Sequence, residues 1–161
     1  MTTLQNEVLI DAPPDRVWRM LSKLDALSDY DPGVASVALL EGVREGVGAG
    51  RRCVLREGGW FEERVTESDG RRVLAFELVA CTLPVRSLRH RYKLSEAGTQ
   101  TRVEQTMEYV LKYGMLGSAL DALFVRRRWD AGIKAFFKGL KARAEGAPAS
   151  SPQARLEVEA R

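Results

Sequence analysis

The chain has one histidine, His90, and only two cysteines, Cys53 and Cys81. A single imidazole cannot build a metal site unaided, and the cysteines do not form a C-x-x-C pair. The sequence therefore gives no metal site and implies no cofactor. Two free thiols suit a reducing compartment. Long apolar runs are also missing, and none approaches the length needed to span a bilayer. The opening MTTLQNE lacks the basic start and apolar stretch of a signal peptide, so a cytoplasmic location is expected. The net charge of +3 is mild and carries no footprint of specific nucleic-acid binding. No G-x-S-x-G elbow is present and no serine has an evident histidine partner, so nucleophilic catalysis finds no support. The stretch REGGWF at 56–61 lacks the lysine and following helix of a phosphate loop and reads as a turn.

What is present reads as one globular domain. Hydrophobic residues make up 45% of the 161 residues and charged residues 29%, enough of both for a sizeable core and a wet surface. Val8-Leu9-Ile10 reads as a short strand. In APPDRVWRML, Pro13 and Pro14 suit a helix start and Asp15 complements its dipole, with Val17, Trp18 and Leu21 on one face. SKLDALSDY gives a second short helix, stopped by DPG at 31–33. From there to about Leu111 the period is two. Strands are expected over 34–41, 51–57, 60–67, 71–80, 87–95 and 100–111, separated by glycine-rich turn signals. In this order Cys53 and Cys81 fall near opposite ends of nonadjacent strands, too far apart for a bridge.

After Gly114 the period returns to 3.6 and holds to about Glu145. Leu116, Leu120, Leu123 and Phe124, then Ile133, Phe136 and Leu140, form its apolar face. Residues 121–145 carry seven basic and three acidic side chains, enough for weak attraction to an anionic membrane. The segment 146–161 reads as a disordered tail, leaving 1–145 as a single ligand-binding domain. The expected fold is α+β: a seven-stranded curved antiparallel sheet wrapped around a long C-terminal helix, with two short helices after the first strand. A lone antiparallel sheet must bury one face, and that helix is the only element large enough to cover it.

The order and spacing of VLIDAPPDRVWRML, DYDPGV, GVGAGRR, EERV, TRVEQTMEYVLKYGMLG and LKARAE resemble the START/pollen-allergen helix-grip superfamily. Within it the chain is most similar to the bacterial polyketide cyclase/dehydrase-like and lipid-transport branch. The resemblance covers residues 5–145. It implies a deep cavity between sheet and long helix that holds an apolar small molecule.

Alternation indicates which side chains would line such a cavity. Pairing Ser68 with Arg71 sets Phe61 against Leu78, Glu63 against Phe76 and Val65 against Leu74 on the inner face. Pairing Glu96 with Thr99 sets Tyr92 against Val103, His90 against Gln105 and Leu88 against Met107, with Tyr109 continuing that face. The outer face then carries Arg91 across from Glu104. A one-residue slip would bury a ladder of charges, so His90 is expected to point inward. From the helix, Phe124, Arg128, Gly132 and Phe136 are expected at the ligand. Glu63, His90 and Gln105 are thus polar residues among apolar neighbours, and Glu63 resembles a pocket glutamate of the plant-hormone-receptor branch. Strand spacing places Glu63 and His90 roughly 10 Å apart with Phe76 between them, too far to hydrogen-bond.

These residues leave three functions open. One is binding or carriage of an apolar or aromatic small molecule, a lipid or polyketide-like compound. Another is a cyclase or dehydratase using His90, Glu63 and Tyr92 as acid–base groups within a shaped cavity. The third is a protein-interaction or co-chaperone module. The sequence does not indicate an oligomeric state.

Overall fold

A computed structural model describes residues 1–112, 114 and 124–146. Its elements run β1 (Thr2–Ile10), α1 (Pro14–Ser22), a 3-10 helix (Leu24–Asp29), β2 (Val34–Leu39), β3 (Gly50–Leu55), β4 (Trp60–Asp69), β5 (Val73–Cys81), β6 (Val85–Ala97), β7 (Gln100–Leu111) and α2 (Arg126–Ala144). The seven strands form one antiparallel sheet in the order β1-β7-β6-β5-β4-β3-β2. β1 starts earlier than the apolar run suggests, because it pairs along β7 from Thr2↔Tyr109 to Ile10↔Thr101. No helix among the described residues is long and apolar enough to cross a membrane.

The core lies between the sheet and α2, where Ile133, Phe136, Phe137 and Leu140 are buried. Packing is closest at Gly139, where a Cβ would stand 1.8 Å from the Tyr30 carbonyl oxygen. Lys141 Nζ donates to the Leu9 carbonyl at 2.7 Å, and the Asp11 N–H donates to Glu145 Oε1 at 2.7 Å. These bonds tie the end of α2 to the end of β1. The expected inward positions Leu116, Leu120 and Leu123 lie outside the described residues, as does the expected tail beyond Gly146. Phe124 does not face the sheet: it is 68% exposed. At 3.6 residues per turn Phe124 lies on the opposite side of the helix axis from Ile133, Phe136, Phe137 and Leu140, so it falls outside the face they share.

Both hairpin registers differ from expectation, while every inward residue keeps its face. The turn at Asp69-Gly70 uses three residues, with positive φ at Gly70 (53°) and Arg71 (62°), so Asp69 pairs with Val73. Bulges between Glu62 and Glu63 and between Val65 and Glu67 then set Glu63 opposite Leu78 and Val65 opposite Phe76. At the β6–β7 hairpin Gly98, at φ 64°, allows a two-residue turn, and Glu96 pairs with Thr101. That shift of two places His90 opposite Met107, Tyr92 opposite Gln105 and Leu88 opposite Tyr109. Arg91 therefore stands opposite Thr106, not Glu104, and pairs with Glu67 at 2.9 Å. The expected row of Glu63, Phe76, His90 and Gln105 becomes Val65, Phe76, His90 and Met107. Cys53 and Cys81 lie on nonadjacent strands as expected, β3 and β5, but not near opposite ends of them. They share one row through Phe61, two strand spacings or roughly 10 Å apart. Both are free thiols.

Candidate functional site

The concave sheet face and α2 enclose a cavity of about 730 Å³, within the range that holds drug-sized ligands. Its apolar wall includes Phe61 and Leu78 from β4 and β5, Leu88 and Met107 from β6 and β7, and Phe136 from α2. Gly132 and Arg128 line it as well. No described atom stands within 4 Å of a Cβ built on Gly132, so this glycine leaves open space beside the helix. Arg128 lies at an exposed end of the lining, where it pairs with the Glu57 carboxylate beside Gly58.

A chain of polar side chains crosses the inner wall. Arg51 on β3 donates to Glu63 Oε1 from Nε at 2.7 Å and from Nη2 at 2.6 Å. Its Nη1 donates to the Leu24 carbonyl at 3.3 Å. Glu63 Oε2 lies 2.7 Å from His90 Nε2, and His90 Nδ1 lies 3.2 Å from the Tyr92 hydroxyl. Gln105 Nε2 donates to that same hydroxyl at 3.1 Å. A carboxylate can only accept, so the Nε2 proton of His90 points at Glu63. In the neutral ring Nδ1 then accepts from the Tyr92 O–H. All five residues are buried and all line the cavity.

The contact between Glu63 and His90 corrects the expected separation. Two strand spacings measure backbone to backbone, whereas the two long side chains converge above Phe76 and close the gap. Phe76 does not line the cavity. It is 1% exposed, its ring stacks on His90 with centroids 5.0 Å apart, and the Arg51 guanidinium lies 4.7 Å from its centroid. Tyr109 is also withdrawn from the cavity, covered by Trp129 at a centroid distance of 4.4 Å. Trp129 takes the lining position instead. Phe124, exposed before α2, is the third expected contact that the cavity lacks.

Arg51 and Asp31 were not anticipated at the site. Period-two alternation carries a signal for Arg51, since it shares the inner face of β3 with Cys53 and Leu55. Asp31 lies in the DPG turn, where no periodicity applies. Its Oδ1 accepts from the Gly33 N–H at 2.8 Å while the residue lines the cavity.

Burial opposes charge at each ionisable group here, and the partners decide the outcome. Desolvation alone would raise the Glu63 pKa, but the Arg51 charge and the bonds from His90 and Arg51 outweigh it. The carboxyl is held at about 2. For Arg51, desolvation is outweighed by Glu63, so the guanidinium stays charged. Burial, reinforced by the Glu63 charge, holds the Tyr92 phenol well above its ordinary range. Burial also raises Asp31, which Gly33 and Arg51 only partly offset. Glu63 is therefore a fixed anion with both oxygens engaged, and Tyr92 is a fixed O–H. Such a wall can orient a polar group. Among the described residues no cluster of ligating side chains could hold a metal ion.

Residues 1–145 match the family described as polyketide cyclase / dehydrase and lipid transport. Among solved structures, a protein from Thermus thermophilus is 25% identical, with a TM-score of 0.77 over 93% of this chain and 100% of its own. A START superfamily protein from Mycobacterium smegmatis is 14% identical, with a TM-score of 0.75 over 89% of this chain and 97% of its own. The protein XoxI from Bacillus cereus is 20% identical, with a TM-score of 0.66 over 99% of both chains. These likenesses share the sheet-around-helix architecture. No curated protein sequence matches the chain.

Proposed function

This chain belongs to the polyketide cyclase / dehydrase and lipid transport family, and from that premise we propose that it binds and carries an apolar or aromatic small molecule. The molecule lies between the sheet and α2, with its polar end at Tyr92 and Gln105. The observation that carries this reading is the cavity itself, apolar on most of its wall and polar along one hydrogen-bonded stripe. That division suits a ligand with an apolar body and one polar end. Binding without chemistry is favoured because Glu63, fully engaged and held at about 2, is a poor proton acceptor at neutral pH.

One observation supports a second reading. The 2.7 Å bond from His90 to Glu63 is the geometry in which a carboxylate orients a histidine, as in an acid–base pair of a cyclase or dehydratase.

Native mass spectrometry of the protein purified from its own host tests the proposal. The expected spectrum contains a complex with an apolar compound. Leu88→Trp, which fills the cavity, should abolish that complex while the fold stays cooperative. A compound retained by Leu88→Trp would overturn the cavity reading. A compound whose mass changes during incubation with the protein would replace the carrier with the enzyme.

A further inference from the structure

Resting on the carrier reading, we infer that the cavity selects a ligand bearing a hydroxyl at its polar end, and discriminates against carboxylates. A buried arginine at the base of an apolar cavity looks at first like a carboxylate receptor. Here the cation is already used. Arg51 gives two donors to Glu63 Oε1 and a third to the Leu24 carbonyl. The acidic and basic side chains on the inner wall, among the described residues, are Arg51, Glu63, Asp31 and His90. With His90 neutral and the other three ionised, the wall carries one net negative charge. With His90 protonated it carries none. Neither state offers a carboxylate an unpaired cation, and an anion buried without one is strongly disfavoured. Arg56, Glu57 and Arg128 also line the cavity, but they are exposed, and Glu57 neutralises Arg128.

The unpaired polar atoms of the stripe indicate what the ligand supplies. Gln105 Oε1 is buried and has no hydrogen-bond partner. The Tyr92 oxygen accepts from Gln105 Nε2 and donates toward His90, which leaves it one lone pair. Both are acceptors and both call for a donor. A hydroxyl can donate to the Tyr92 lone pair, and to Gln105 Oε1 once the amide turns toward the cavity, whereas a carboxylate would face them with lone pairs. Arg51 keeps N–H groups outside its Glu63 and Leu24 bonds, and these can donate to the hydroxyl oxygen.

Calorimetric titration with matched compounds tests this: 2-naphthol against 2-naphthoate, and 1-dodecanol against dodecanoate. The alcohol of each pair should bind roughly tenfold or more tightly than its acid. Equal or tighter binding of the acids would overturn this inference and leave the carrier reading standing. Binding of none of the four would instead overturn the carrier reading. In Glu63→Gln the Arg51 charge is released, and the preference should turn toward dodecanoate. Should that variant fail to fold, the unmodified protein still decides the question through the matched sets.

Discussion

Glu63 concentrates the physical argument at the residue scale. Its carboxyl titrates near 2 in the folded chain against an ordinary 4.5. The stabilisation from this depression is fully present above about pH 4.5 and is lost as pH falls toward 2. Urea denaturation across that window should show stability declining by a few kcal/mol, and Glu63→Leu paired with Arg51→Met should flatten the decline. The same pair separates two kinds of cost. Glu63→Gln alone leaves a buried guanidinium without its counter-ion and should cost about 3–5 kcal/mol. The double replacement by apolar side chains removes both charges and should cost far less. A double variant as unstable as the single one would mean the pair contributes a large net stabilisation, against this account. Alternation is sufficient to turn Glu63 and His90 inward. Their contact is not legible in the sequence, because strand spacing fixes backbones and says nothing about how far two long side chains reach.

Elements show where local rules hold and where they give way. Two glycines on α2 have opposite reasons to be there. Gly139 is required by the Tyr30 carbonyl, 1.8 Å from where its Cβ would stand. Gly139→Ala should therefore destabilise by roughly 1–3 kcal/mol through overpacking. A Cβ on Gly132 meets nothing within 4 Å, and its φ is not positive, so Gly132→Ala should raise stability by up to about 1 kcal/mol. Thermal melts of the two variants should move in opposite directions, and a loss at Gly132 would mean that its surroundings are not open. Strand existence and facing are readable because the period of two persists through each segment. Register is not, since the length of one turn and the position of the other, with the bulges, are decided by backbone conformations at Gly70, Arg71 and Gly98. Phe124 departs from expectation because an apolar residue in a helical stretch need not share the apolar face: nine residues, two and a half turns, separate it from Ile133 and put it on the opposite side.

For the whole molecule, the alternation of short helices, strands and one long helix specifies the sheet-around-helix architecture before any contact is known. A cavity follows from that architecture, because a curved sheet and a helix carrying Ala131 and Gly132 on its lining cannot close on each other completely. The cavity's chemistry is less legible. It depends on Arg51, Asp31 and Trp129, which reach the site through a strand end, a turn and a helix face. The most direct test of the account is a crystal structure of the protein with the apolar compound it carries. The predicted result places the apolar body between the sheet and α2, with its polar end about 3 Å from Tyr92, Gln105 or Arg51. A compound seated on the outer face of the sheet, or with its polar end at the Glu57–Arg128 pair, would contradict it.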